Sequence, residues 1–139
     1  MANTQFNKPA PSPSPSSQHF WSEAREHRLV LQVCLHCGET VFYPRQRCPA
    51  CWRDALTWRE ASGKGTVVTY TIIHKPSHPA FSAEAPYVVA LIDLDEGARM
   101  LSNVIHCPVE EVQVGQRVVV SWEEQGQYTL PKFRPEAQS

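Results

Sequence analysis

The chain has 139 residues, 42% of them apolar, and its 13 Lys+Arg against 14 Asp+Glu leave a formal charge of -1. That length suits one domain or two very small ones, and the charge balance excludes a strongly basic nucleic-acid binder. No apolar run reaches the roughly 18 residues a membrane-spanning helix needs, and no charged-then-apolar leader marks export, so the expected location is the cytoplasm.

Residues 1–17 alternate Pro9, Pro11, Pro13 and Pro15 with Ser12, Ser14, Ser16 and Ser17. Proline lacks an N–H donor and serine offers little to bury, so this segment reads as a disordered, polyproline-like leader. Gln18 to about Arg28 suits a short helix capped by Ser16 or Ser17, with Phe20, Trp21 and Ala24 on one apolar face. A helix of about ten residues is marginal alone. Its aromatic pair must therefore dock, either on its own domain or on a partner chain.

Residues 29–61 read as short hairpins around four cysteines: an extended Leu29–Val33, a return at Glu39–Tyr43 and a third strand at Leu56–Glu60. The segment has too few apolar residues to fold unaided. Residues 62–135 read as all-β. Gly63 and Gly65 bracket a turn before Thr66–Ile73, and a second strand follows at Tyr87–Leu94. Asp95-Glu96-Gly97 makes a hairpin to Arg99–His106, and Pro108–Val112 suits one helical turn. Arg117–Trp122 and Tyr128–Phe133 complete five strands, an order that fits an OB-type barrel, with a small sandwich as the rival. With the paired cysteines Cys34/Cys37 and Cys48/Cys51 as metal ligands, the expected class is mainly β: an N-terminal helix, a rubredoxin-like zinc ribbon, then a five-stranded OB-fold barrel. The expected divisions are a leader at 1–17, helix and ribbon at 18–61, barrel at 62–135 and a loose tail at 136–139.

The chemistry concentrates in Cys34-x2-Cys37 and Cys48-x2-Cys51. Two such knuckles within eighteen residues supply four thiolates, a closed tetrahedral site for one Zn²⁺ that leaves no position for water, so the metal is structural. Rubredoxin-like iron and a dithiol redox pair are the alternatives. Four thiolates and Zn²⁺ sum to -2, and residues 28–60 offset this with Arg28, Arg45, Arg47, Arg53 and Arg59 against Glu39, Asp54 and Glu60. His36 is a fifth possible ligand but reads as a solvated side chain, and Cys107 as a half-buried small hydrophobe. Lys75, between His74 and His78 in a proline-punctuated loop, is either a phosphate contact with Arg45 or Arg47 or ordinary surface charge. Catalytic machinery is otherwise not found: there is no glycine-rich phosphate loop, nucleophile elbow or paired carboxylate site. Asp93 and Asp95 read as turn chemistry.

In this order, the motifs resemble the acyl-CoA-associated zinc-ribbon/OB-fold proteins, small partner subunits of thiolase-like and hydratase-like enzymes. The carriers are Phe20-Trp21, Cys34-Leu-His-Cys37-Gly38, Phe42-Tyr-Pro-Arg45, Cys48-Pro-Ala-Cys51, Gly63-Lys-Gly65, Thr69-Tyr-Thr71, Pro86–Leu91 and Leu130–Pro135. Tyr43 departs from the pattern, where a second proline often stands. The resemblance implies a non-catalytic accessory subunit in a hetero-oligomer with a thiolase-like large subunit. That partner would carry the catalytic cysteine and histidines, and the complex would degrade an aromatic or other β-oxoacyl-CoA; hydratases and retro-aldolases are the alternative partners. Candidate contacts to CoA or partner are Phe20, Trp21, Tyr43, Arg45, Arg47 and Lys75. Two rivals are a single-stranded nucleic-acid module with Tyr70, Tyr87 or Trp122 as stacking platforms, and a stand-alone acyl-CoA carrier. Six cations against eight acids in the barrel segment oppose the first.

Overall fold

A computed structural model describes residues 8–136, so residues 1–7 of the expected leader and 137–139 of the expected tail lie outside the described residues. Helix α1, Gln18–Arg25, is followed by β1 (Val30–Cys34), β2 (Thr40–Val41) and β3 (Leu56–Glu60), a three-stranded antiparallel sheet in the order β2-β1-β3. Strands β4 (Lys64–Ile73), β5 (Tyr87–Leu94), β6 (Arg99–Val104), β7 (Arg117–Gln125) and β8 (Tyr128–Pro135) close a barrel in the order β4-β5-β6-β8-β7. The fold is the mainly β, OB-like architecture expected, and the sandwich is excluded.

The helix stops three residues short of the expected Arg28 for a local reason. His27 takes a left-handed φ of 62°, its N–H donates to the Ala24 carbonyl, and the Arg28 N–H reaches back to Glu23 at 3.0 Å. This paired closure of the last carbonyls ends a helix, usually with glycine at the left-handed position. The His27 ring then stacks on Trp122 of β7, with centroids 5.5 Å apart and planes 10° apart. On the helix face, Phe20 meets Phe42 edge-on at 5.5 Å and Trp21 meets Tyr128 at 5.8 Å. The aromatic pair docks on its own domain.

Strand β5 alternates as a half-buried strand should, with Val88, Ala90, Ile92 and Leu94 turned inward. Strand β1 instead is buried along its whole length, because α1 and the barrel cover what the small ribbon sheet cannot. Phe20, Leu29, Leu31 and Val33 join Val67, Ile92, Val118 and Phe133 in one continuous apolar core. Ribbon and barrel are thus sides of the same interior, which answers the shortage of apolar residues in the ribbon.

Gly65 lies inside β4 rather than in a turn. A Cβ there would sit 2.6 Å from the Asp93 carbonyl oxygen and 2.7 Å from Ile92 Cγ2, so only glycine lets β4 pair with both β5 and β7 at that point. The proline-punctuated loop after β4 contains a 3-10 turn at Pro79–Glu84, started by His78 Nδ1 accepting from the Ala80 N–H at 3.0 Å. No helix of the described residues is long and apolar enough to cross a membrane.

Candidate metal centre and the adjoining groove

The two knuckles are built alike. In each, the first cysteine's N–H bonds a carbonyl five residues on (Cys34 to Glu39 at 2.9 Å, Cys48 to Arg53 at 3.1 Å). Its carbonyl accepts from the residue four on, Gly38 at 2.9 Å and Trp52 at 2.7 Å. That fourth residue is left-handed in both, with φ 80° at Gly38 and 66° at Trp52. The first knuckle solves this with glycine; the second carries a tryptophan whose side chain is 73% exposed.

The geometry brings all four Sγ atoms within 4.8 Å of one another, with Cys34 to Cys51 at 3.7 Å and Cys37 to Cys48 at 3.6 Å. A tetrahedral ion with Zn–S bonds of about 2.3 Å requires sulfur–sulfur edges of about 3.8 Å, so the four residues fit Zn²⁺. The Cys37 N–H points at Cys34 Sγ and the Ala50 N–H at Cys48 Sγ, donors that favour thiolates. The Cys37 amide, with help from His36 and Cys51, brings the Cys34 thiol down to about 7. Cys37, despite the Glu39 amide, is pushed up to about 12 by desolvation and its thiol neighbours. Cys37 and Cys51, both raised, hold their protons more tightly, and a divalent ion would displace them. His36 is exposed and stands outside the cluster. Cys107 is half-buried, and burial pushes its thiol up.

Residues of α1, the segment after β2, β6 and β8 line a groove of about 410 Å³. Phe20, Trp21, Phe42, Tyr43 and Pro44 form one side, and Leu101, Asn103, Leu130 and Lys132 face them. Lys132 is ion-paired to Glu123 at 2.5 Å. Tyr43 is held in a left-handed φ of 55°, an outlier for a bulky residue, and its hydroxyl accepts from the Leu101 N–H at 3.3 Å.

Of the residues singled out from sequence, Phe20, Trp21 and Tyr43 come together in this groove, with Phe20 only 6% exposed as its inner wall. Arg45 and Arg47 follow on the same segment with exposed side chains, while Lys75 sits exposed on the loop after β4 and does not line the groove. Sequence reading missed Gln32. This buried residue of β1 donates from Nε2 to the Arg45 carbonyl at 2.9 Å and accepts at Oε1 from the Arg45 N–H at 2.8 Å. The signal was present, a lone amide inside Leu29-Val-Leu-Gln-Val33, since a buried polar group needs partners. Asp93 and Asp95 also do more than shape a turn. Both are locked to arginines, Arg99 and Arg117.

Residues 21–57 match the family model of the rubredoxin-like zinc ribbon domain of ChsH2, and residues 58–123 match that of its C-terminal OB-fold domain. A DUF35 domain-containing scaffold protein of Methanocaldococcus jannaschii is 37% identical over 100 residues, covering 70% of each chain. A probable enoyl-CoA hydratase alpha subunit of Thermomonospora curvata is 42% identical over 118 residues, 84% of this chain; the match spans 36% of that longer relative. Among solved structures, a chain of an Ltp2-ChsH2(DUF35) aldolase superposes with a TM-score of 0.81 at 37% identity, covering 91% of this chain and 98% of that one.

Proposed function

This chain belongs to the DUF35 family of zinc-ribbon and OB-fold proteins, and from that premise we propose that it is a zinc-stapled accessory subunit of an acyl-CoA-transforming enzyme. In this role it does not carry the reaction. It completes a hetero-oligomer with a large subunit of hydratase or aldolase type; the thiolase-like partner expected from sequence is the finer form of the same reading. The carrying observation is the likeness, over nearly its whole length, to a chain of an Ltp2-ChsH2(DUF35) aldolase. The closed four-sulfur centre supports it, since such a metal stabilises a platform instead of activating a reactant.

The groove and the turn Tyr43–Arg45 are the proposed contact with CoA in the complex. Apolar walls suit the uncharged part of the ligand, and the exposed Arg45 guanidinium, just outside the groove, suits a phosphate. Arg47, whose guanidinium donates to the Trp52 carbonyl at 3.4 Å, is a second cation on the same segment.

A pull-down of the tagged protein from its own host, with mass spectrometry and zinc analysis of the eluate, tests the reading. A stoichiometric acyl-CoA enzyme with about one zinc per chain is the expected result, and the partner's identity separates hydratase, aldolase and thiolase. A zinc-loaded chain eluting alone overturns the reading.

A further inference from the structure

Gln32 sits where an apolar residue would serve the core. It is 5% exposed, flanked by buried Leu31 and Val33 in the middle of β1. An amide placed there must have its hydrogen bonds satisfied, and Gln32 satisfies them with a single residue. Its Nε2 donates to the Arg45 carbonyl at 2.9 Å and its Oε1 accepts from the Arg45 N–H at 2.8 Å. This reproduces with a side chain the double bond exchange of an antiparallel strand pair. Strand β2 ends at Val41, opposite Gln32. The chain then swings out through Tyr43 at its left-handed φ and is drawn back onto β1 at Arg45 by the Gln32 amide. The clamp and the strained residue thus bracket one short turn. Tyr43 and Pro44 line the groove from it, and the Arg45 side chain projects to solvent.

We propose that Gln32 is a positioning residue: by holding the main chain of Arg45 it fixes the Tyr43–Arg45 turn in the conformation that meets CoA. The inference rests on the reading of that turn as a CoA contact. Beyond the Gln32 bonds, the turn is held by the Tyr43 ring packed edge-on against Phe42 at 5.1 Å and by one hydroxyl contact. The Tyr43 hydroxyl has one long bond to the Leu101 N–H, and the Arg45 side chain has no ion-pair partner among the described residues. A freed turn therefore samples many geometries and loses the entropic advantage of a prearranged contact.

The test compares Gln32→Met, Gln32→Glu, Arg45→Ala and the Gln32→Met/Arg45→Ala double variant. Gln32→Glu keeps the acceptor for the Arg45 N–H and loses the donor, and it serves if the methionine variant does not fold. Free coenzyme A is titrated into the complex captured from the host, with zinc content and melting temperature recorded for each variant. Arg45→Ala is expected to weaken CoA about tenfold, Gln32→Met about fivefold and Gln32→Glu less, with zinc retained. The double variant should bind no worse than Arg45→Ala alone, because both changes remove one contact. An unchanged affinity for Arg45→Ala sinks the CoA reading itself. A loss for Arg45→Ala with native affinity for the Gln32 variants, or with additive losses in the double, sinks the positioning role alone. On the isolated chain, trypsin should cut after Arg45 faster in Gln32→Met than in the native protein, and equal rates would overturn the clamp.

Discussion

The guanidinium of Arg117 meets the carboxylate of Asp95 in a two-pronged contact, Nη1 to Oδ1 and Nη2 to Oδ2 both at 2.8 Å, and so ties the start of β7 to the turn after β5. Arg117 holds the Asp95 carboxyl below its ordinary 3.8, and Arg99 does the same for Asp93. A carboxylate with a lowered value in the folded state contributes stability above the unfolded value, and that contribution is lost as the pH falls through the folded one. The Asp95 and Arg117 side chains are 42% and 44% exposed, so solvent screens the pair and its contribution is small. Asp95→Asn should therefore melt slightly lower at pH 7, and the difference should shrink as the pH falls below 3.8. Calorimetric melts across that range check the sign.

Removing the metal should reach well beyond the ribbon. Zinc binding worth on the order of 10 kcal/mol is folding energy for so small a sheet, and β1 shares its core with Ile92, Val118 and Phe133 of the barrel. Chelation, or Cys48→Ser at a fully buried ligand, should lower the melting temperature by more than about 10 °C. Near-ultraviolet dichroism should report loss of barrel packing together with ribbon packing. Because protons compete for thiolates, zinc release followed with a chromogenic chelator should rise as the pH is lowered from 7.

Two glycines should respond differently to alanine. At Gly65 the added Cβ would meet main-chain oxygen and Ile92 at under 2.8 Å, an overpacking that costs about 1–3 kcal/mol. At Gly126, φ is +60° and no atom lies within 4 Å, so alanine carries only the left-handed penalty of about 1 kcal/mol. Urea unfolding of Gly65→Ala and Gly126→Ala should rank them in that order.

Phe20 and Trp52 form a similar contrast among aromatics. Phe20→Ala empties a site 6% exposed at the junction of α1 and Phe42, and should cost about 3–5 kcal/mol. Trp52 is exposed and left-handed, where glycine already serves in the other knuckle. Trp52→Gly should keep its zinc and change unfolding free energy by less than about 1 kcal/mol. Denaturant melts with metal analysis test both.

Most of the barrel was legible in the chain because alternation and turn residues are local signals. Tyr87–Leu94 shows both in its own sequence, and the strand occupies those residues. The four cysteines were legible because their spacing is itself the chemistry. What escaped were features whose cause lies elsewhere in the fold. Nothing near His27 announces that a histidine will take the left-handed position and stack on Trp122, ninety-five residues later in the chain. Gly65 looked like a turn residue because the Asp93 carbonyl that excludes a Cβ belongs to another strand. In the candidate site, the aromatic side Phe20, Trp21 and Tyr43 was visible, whereas the wall opposite depends on how β6 and β8 converge.

Strands β6 and β8 run parallel and meet at Val104 and Phe133, with the Ile105 N–H donating to the Phe133 carbonyl at 2.7 Å. That closure sets an order on synthesis. All four metal ligands lie within residues 34–51 and form their site through local contacts, but β6 waits for residues about thirty positions downstream before its second edge is covered. A nascent chain halted short of Phe133 holds all four metal ligands beside an unsealed sheet, and that open edge is what a chaperone or a second nascent chain would meet.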